Sequence, residues 1–218
     1  MRQGLLALLT LALLVAPAQA GNVSSWVEKV HEASEWGDSE VVWRLLQEPT
    51  FEQAMHDEEA LFTFCTTLSN CWRILAVRGG ERVDEIHARV EPYVRARLSN
   101  DPLEAGDIYC WACVVSAIER TRRARGDKPD LERWQDAVRL GLTAANAASD
   151  RRDIAMEQIR WCGELAAFKK ADAEFFLAQA DALQKRLLEE GSPDWRAISS
   201  IALLHENKAR AWAVRGKK

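Results

Sequence analysis

Three observations predict an all-α fold for this chain. Apolar residues recur at helical spacing, helix starts and stops punctuate the sequence, and strand signals are nearly absent. The chain has 218 residues, and the part after residue 20 is long enough for one domain with a substantial core.

A secretory leader comes first. Met1-Arg2-Gln3-Gly4 supplies one positive charge, Leu5 to Val15 an apolar core, and Ala18-Gln19-Ala20 a small-x-small cleavage site. The apolar run is shorter than the ~20 residues that a membrane span needs. Residues 1–20 are therefore expected to be removed, leaving 21–218 as a single all-helical domain exported to the periplasm or the extracellular space. Gly21 would then be the first mature residue, and with no cysteine at that position acylation is not expected. Asn22-Val23-Ser24 matches a glycosylation acceptor, relevant only in a eukaryotic host. No later segment reads as a membrane span, and the mature domain is expected to be soluble.

Helices follow near 24–36, 39–48, 51–78, 82–98, 102–125, 130–148, 151–169, 172–190 and 193–214. Ser25-Trp26-Val27-Glu28 and Thr50-Phe51-Glu52-Gln53 fit the reciprocal capping box. Pro102 and Pro193 fall in predicted first turns, where the missing N–H costs nothing. Gly79-Gly80, Gly126 and Gly191 mark helix ends. The 51–78 segment is expected to break near Asp57, and Pro92 to kink the helix that holds it. Three stripes should face the core. The first is Leu61, Phe64, Cys65, Leu68, Cys71, Trp72 and Leu75. The second is Trp134, Ala137, Val138, Gly141 and Ala145, and the third Ile198, Ile201, Ala202 and His205.

Helix pairs starting near Asp57, Pro102, Arg151 and Pro193 recur roughly every 45 residues, the period of stacked helical hairpins. A short α-solenoid, arranged like tetratricopeptide repeats, is the expected architecture; the alternative is a non-repeating helical bundle. Ala171, Phe175 and Ala178 stand as in the second helix of a tetratricopeptide repeat. The preceding helix lacks that family's Trp, Leu-Gly and Tyr positions, and the closing proline is missing, so no family is assigned.

The net charge of −4 becomes more negative once Arg2 leaves with the leader, which argues against a nucleic-acid partner. Five cysteines, Cys65, Cys71, Cys110, Cys113 and Cys162, would meet an oxidising compartment. Cross-links between helices are expected, with Cys65–Cys110 and Cys113–Cys162 as pairs at similar heights. Cys65 and Cys71 lie about two turns apart on one helix and cannot pair with each other. Cys110-Trp111-Ala112-Cys113 has the C-x-x-C spacing of thiol–disulfide oxidoreductases. It falls inside a predicted helix rather than at a helix start, so it reads more readily as structure than as a catalytic pair. No second C-x-x-C and no His pair at ligand spacing exists, and no metal or other cofactor is expected.

Nine tryptophans are an unusual number; inter-helix packing is the expected use, and a tryptophan-lined groove for a glycan or small ligand the alternative. Arg120, Arg122, Arg123 and Arg125, with Lys128, form the one strong basic cluster, a candidate interaction patch at a helix end. The histidines His31, His56, His87 and His205 are expected to play ordinary surface roles, and Arg215-Gly216-Lys217-Lys218 to form a solvated tail. These features point to a non-enzymatic scaffold or protein-interaction protein of the cell envelope, whose partner is another envelope protein. A small-ligand binder and a thiol–disulfide oxidoreductase stand behind it.

Overall fold

The computed structural model describes residues 23–168, 172–191 and 194–214. The leader, Asn22, Ala171, Ser192, Pro193 and the C-terminal tail lie outside the described residues, as do the expectations placed on them. Every described element is a helix: α1 (Val23–Glu35), α2 (Ser39–Leu45), α3 (Thr50–His56), α4 (Glu58–Arg78), α5 (Arg82–Arg97), α6 (Ala105–Ala124), α7 (Leu131–Ala147), α8 (Arg152–Phe168), α9 (Ala173–Glu189) and α10 (Trp195–Val214). The helices pack antiparallel, and the described residues contain no strand.

Local chemistry accounts for most boundaries. Asp38, Asp57 and Asp130 each accept a hydrogen bond from a first-turn backbone N–H, capping α2, α4 and α7. Asp57 is also the break expected inside the 51–78 segment. Gly37, with φ +71°, turns the chain out of α1, and a Cβ there would lie 2.3 Å from the Ile74 side chain. Three starts differ from expectation. α3 begins at Thr50 itself, after Pro49, so Thr50 is helical rather than the cap. α1 begins at Val23, so Ser25 is already helical rather than a cap. α6 begins at Ala105, after the cis peptide Asp101–Pro102, so Pro102 precedes the helix instead of entering its first turn.

The core runs continuously through the described helices. α4 packs on α1 and α6, α6 on α5 and α7, and α8 on α7, α9 and α10. α6 is the most enclosed: from Asp107 to Thr121 all its side chains are buried except that of Trp111. The expected stripes on α4 and α7 are buried, with Trp72 half-exposed at the edge. α4 is long and apolar enough to cross a membrane by length and composition, yet 56% of that stretch is buried within the fold.

The third stripe is corrected. On α10 the buried residues are Ala197, Ser200, Leu204, Asn207 and Ala211, while Ile198 is 55% exposed and Ala202 and His205 face outward. α10 packs closely on α8, where Leu204 and Asn207 approach Gly163, and small or compact side chains serve that contact better than Ile198 would.

His87 is corrected too. It sits on the buried face of α5 with Val83, Ile86, Val90 and Val94, 3% exposed, and neither ring nitrogen has a hydrogen-bond partner. Burial lowers its pKa to about 4, with the Arg125 and Arg122 charges adding to the effect and Asp84 and Glu91 opposing it. The unfolded chain, titrating near 6.5, binds the proton more readily than the native state between these values. Stability from neutral His87 is thus intact above pH 6.5, falls as the pH drops, and is fully lost below about pH 4, at a cost of about 3 kcal/mol. Urea denaturation at pH 7.5 and pH 5 should show about 2 kcal/mol of this loss in the wild type, and a His87→Leu variant should lose less over the same interval.

Candidate functional site

The cysteines all lie in the interior as free thiols, so the expected cross-links are not formed. Cys65 on α4 and Cys110 on α6 do come together, at 4.0 Å, well beyond the ~2.05 Å of a disulfide. Cys71 neighbours Ser34 and Glu35 of α1, and Cys162 is fully enclosed, its pKa raised by burial alone. Cys110 and Cys113 occupy the second and third turns of α6, not its start. Burial, reinforced by Cys110 and Glu157, pushes the Cys113 thiol well above the ordinary range. Disulfide exchange needs an accessible thiol with a lowered pKa, and Cys113 has neither property.

The basic cluster is engaged internally. Arg120 is 3% exposed; its guanidinium donates to Glu164 at 2.8 Å, approaches the Ser69 carbonyl and lies 4.4 Å from the centre of the Trp72 ring. Arg122 pairs with the fully buried Glu119, which also accepts from the Asp130 backbone N–H at 2.7 Å. Arg123 stacks over Phe168 at 3.9 Å, and Arg125 pairs with Asp84 at 2.6 Å and reaches the Gly80 carbonyl. Arg120, Arg123 and Arg125 tie α6 to α4, α5 and α8, while Arg122 pairs within α6, and periodicity alone could not reveal those partners.

The tryptophans divide clearly. Trp26, Trp134 and Trp161 are buried, and the first two donate to the Leu45 carbonyl and the Ser116 hydroxyl. Trp43, Trp72 and Trp111 are half-buried under arginine guanidinia. Trp36 is 71% exposed at the end of α1, beside Ile74 and the 76%-exposed Val77 of α4. Trp36 stands between two hollows, one of about 350 Å³ bordered by Lys29, Glu32 and Asp38. The other, about 420 Å³, is bordered by Glu35, Arg73 and Arg78. Arg78 donates to the Trp36 carbonyl at 2.9 Å, anchoring the backbone of the exposed residue to α4. An apolar ridge with a charged rim of both signs is therefore held on rigid helix ends.

A further concavity, of about 380 Å³, is walled by α1, α4, α6, α8 and α10. Its aromatic lining among the described residues is Tyr109, not tryptophan. Tyr109 belongs to a row of rings, with Phe62 at 4.9 Å and Trp161 at 6.1 Å, that joins α4, α6 and α8. No group of three His, Cys, Asp or Glu side chains among the described residues is arranged to hold a metal ion. No protein family, curated protein or solved structure matches this chain.

Proposed function

We propose that this chain is a non-enzymatic interaction protein of the cell envelope, which engages another protein through the Trp36–Ile74–Val77 face. One observation carries the reading: a large indole stands exposed on a rigid helix end, beside further exposed apolar side chains and inside a charged rim. Buried tryptophans are accounted for by packing, whereas tryptophan is one of the residue types enriched at binding hot spots, and an exposed one is available for that use. Export rests on the leader at residues 1–20. The same proposal includes the stacking of helical hairpins into a short solenoid, supported by the side-by-side packing of alternate helices α4 with α6 and α8 with α10.

Trp36→Ala tests the reading. With the ring mostly in solvent, the urea midpoint should correspond to a stability change within about 0.5 kcal/mol. A photo-crosslinker placed at Val77 in the native envelope should give one discrete adduct, and Trp36→Ala should suppress it. A crosslinked profile that Trp36→Ala leaves unchanged would overturn the proposal.

A further inference from the structure

α10 is apolar on the side it buries and also on the side it leaves in solvent. Ala197, Leu204 and Ala211 are buried, yet Ile198, Ala202, Ala209, Trp212 and Ala213 are exposed. Ile198 is 55% exposed and Trp212 50%. At steps of three and four residues, Ile198, Ala202, His205, Ala209 and Trp212 form one outward stripe about 21 Å long. Only His205 interrupts its apolar character. A helix apolar all round is normally enclosed, so half of α10 lacks the cover that its composition calls for.

Positive charge gathers where this stripe ends. Residues 195–218 hold six basic side chains and one acidic, Glu206, a net +5; the whole chain is −4, so the remainder carries −9. Arg210 pairs with Glu206 and Lys208 with Asp181, and the surplus stays positive with both pairs formed. The end of α8 adds to it. Leu204 and Asn207 approach Gly163, and Arg123, which stacks over Phe168 at 3.9 Å, is close enough to Arg210 for the two charges to repel. Phe168 is 38% exposed, and Lys169 and Lys170 follow it in sequence. Two exposed aromatic rings, Phe168 and Trp212, therefore stand at the basic end of the α8–α10 pair.

We propose that the outer face of α10 lies on an anionic phospholipid surface. Ile198, Trp212 and the alanines between them enter the headgroup region, and the basic residues at the C-terminal end meet the lipid phosphates. Exposed apolar side chains combined with a local surplus of positive charge on one helix are what binds such a surface. The negative charge on the rest of the chain is repelled by the same lipids, which turns α10 toward them. The Trp36 face differs, with a rim of both signs and flanking hollows suited to a protein. The inference goes beyond that reading and needs neither that face nor its partner.

Flotation of the protein, produced with its own leader, with lipid vesicles is the test. With vesicles of equal parts phosphatidylglycerol and phosphatidylcholine, most of the protein should float at about 1 mM lipid. Phosphatidylcholine alone, or about 0.5 M salt, should weaken binding roughly tenfold or more. Trp212→Ala and Ile198→Ser, both at exposed positions that folding tolerates, should each weaken it about fivefold. The double change Lys217→Gln, Lys218→Gln should weaken it about tenfold, whereas Trp36→Ala, an exposed indole elsewhere, should change nothing. Circular dichroism checks that each variant is folded. Failure to float, equal binding to the neutral vesicles, or unchanged binding in the folded α10 variants would overturn the proposal. A dimer in light scattering that Trp212→Ala dissolves, without vesicle binding, would assign the face to a second copy of the chain instead. Vesicle binding is read with purified components and the Trp36 crosslink in the native envelope, so failure of one leaves the other standing.

Discussion

Arg120→Ala is expected to destabilise the protein by about 3–5 kcal/mol, the cost of breaking a buried ion pair from one side. Its guanidinium holds Glu164 at 2.8 Å and lies over Trp72, so truncation strands a carboxylate that is only 13% exposed. A hydrophobic gap opens beneath the indole as well. The burial that makes this pair costly also lowers the Arg120 pKa, while Glu164 opposes the shift. In a domain of this size the loss corresponds to a fall in Tm of roughly 6–20 °C. The double variant Arg120→Met, Glu164→Leu should recover most of the loss, because apolar side chains of similar volume replace a buried pair at little cost. Thermal unfolding of the two singles and the double closes the cycle. If Arg120 served a partner instead, the single change would leave Tm almost unaltered.

Trp26→Ala should have an effect of similar size, about 3–5 kcal/mol, the usual range for deleting a fully buried large aromatic side chain. Trp26 is 1% exposed, packs against Phe51 at 6.0 Å and Phe64 at 5.6 Å, and donates to the Leu45 carbonyl at 2.9 Å. One indole therefore joins α1 to α2, α3 and α4. Its removal leaves both a cavity and a buried carbonyl without its donor. Trp26→Phe restores part of the volume but not the N–H, and should recover about half of the loss. Urea denaturation separates the three proteins. Trp36→Ala, ten residues on, is the internal control, because the same residue type in solvent should cost almost nothing.

That contrast shows how far the sequence could be read. Both tryptophans lie on or beside α1, and helical spacing puts Trp26 on a face with Val27, Val30 and Ala33. Trp36 follows the last helical residue, where periodicity no longer assigns a face. His87 was readable in principle, since Val83, Ile86, Val90 and Val94 place position 87 on the buried side of α5. A polar residue type masked that signal. The stripe assigned to α10 failed for another reason. Its apolar residues mark one face, but α10 turns small or compact residues to α8 instead. The concavity walled by α1, α4, α6, α8 and α10 gave no local signal, because its lining comes from five helices brought together only by packing.

The amino-acid order alone determined the helical class, the glycine stops and the inward faces of α4 and α7. Each of these depends on residues within a turn or two of one another, where spacing and side-chain chemistry act directly. The tertiary structure alone decided that Arg120 is an internal tie and that Cys65 and Cys110 are neighbours without a bond. Those outcomes depend on which helix faces meet. A face is chosen by the sum of many weak contacts between distant segments, and no short stretch of sequence carries that sum.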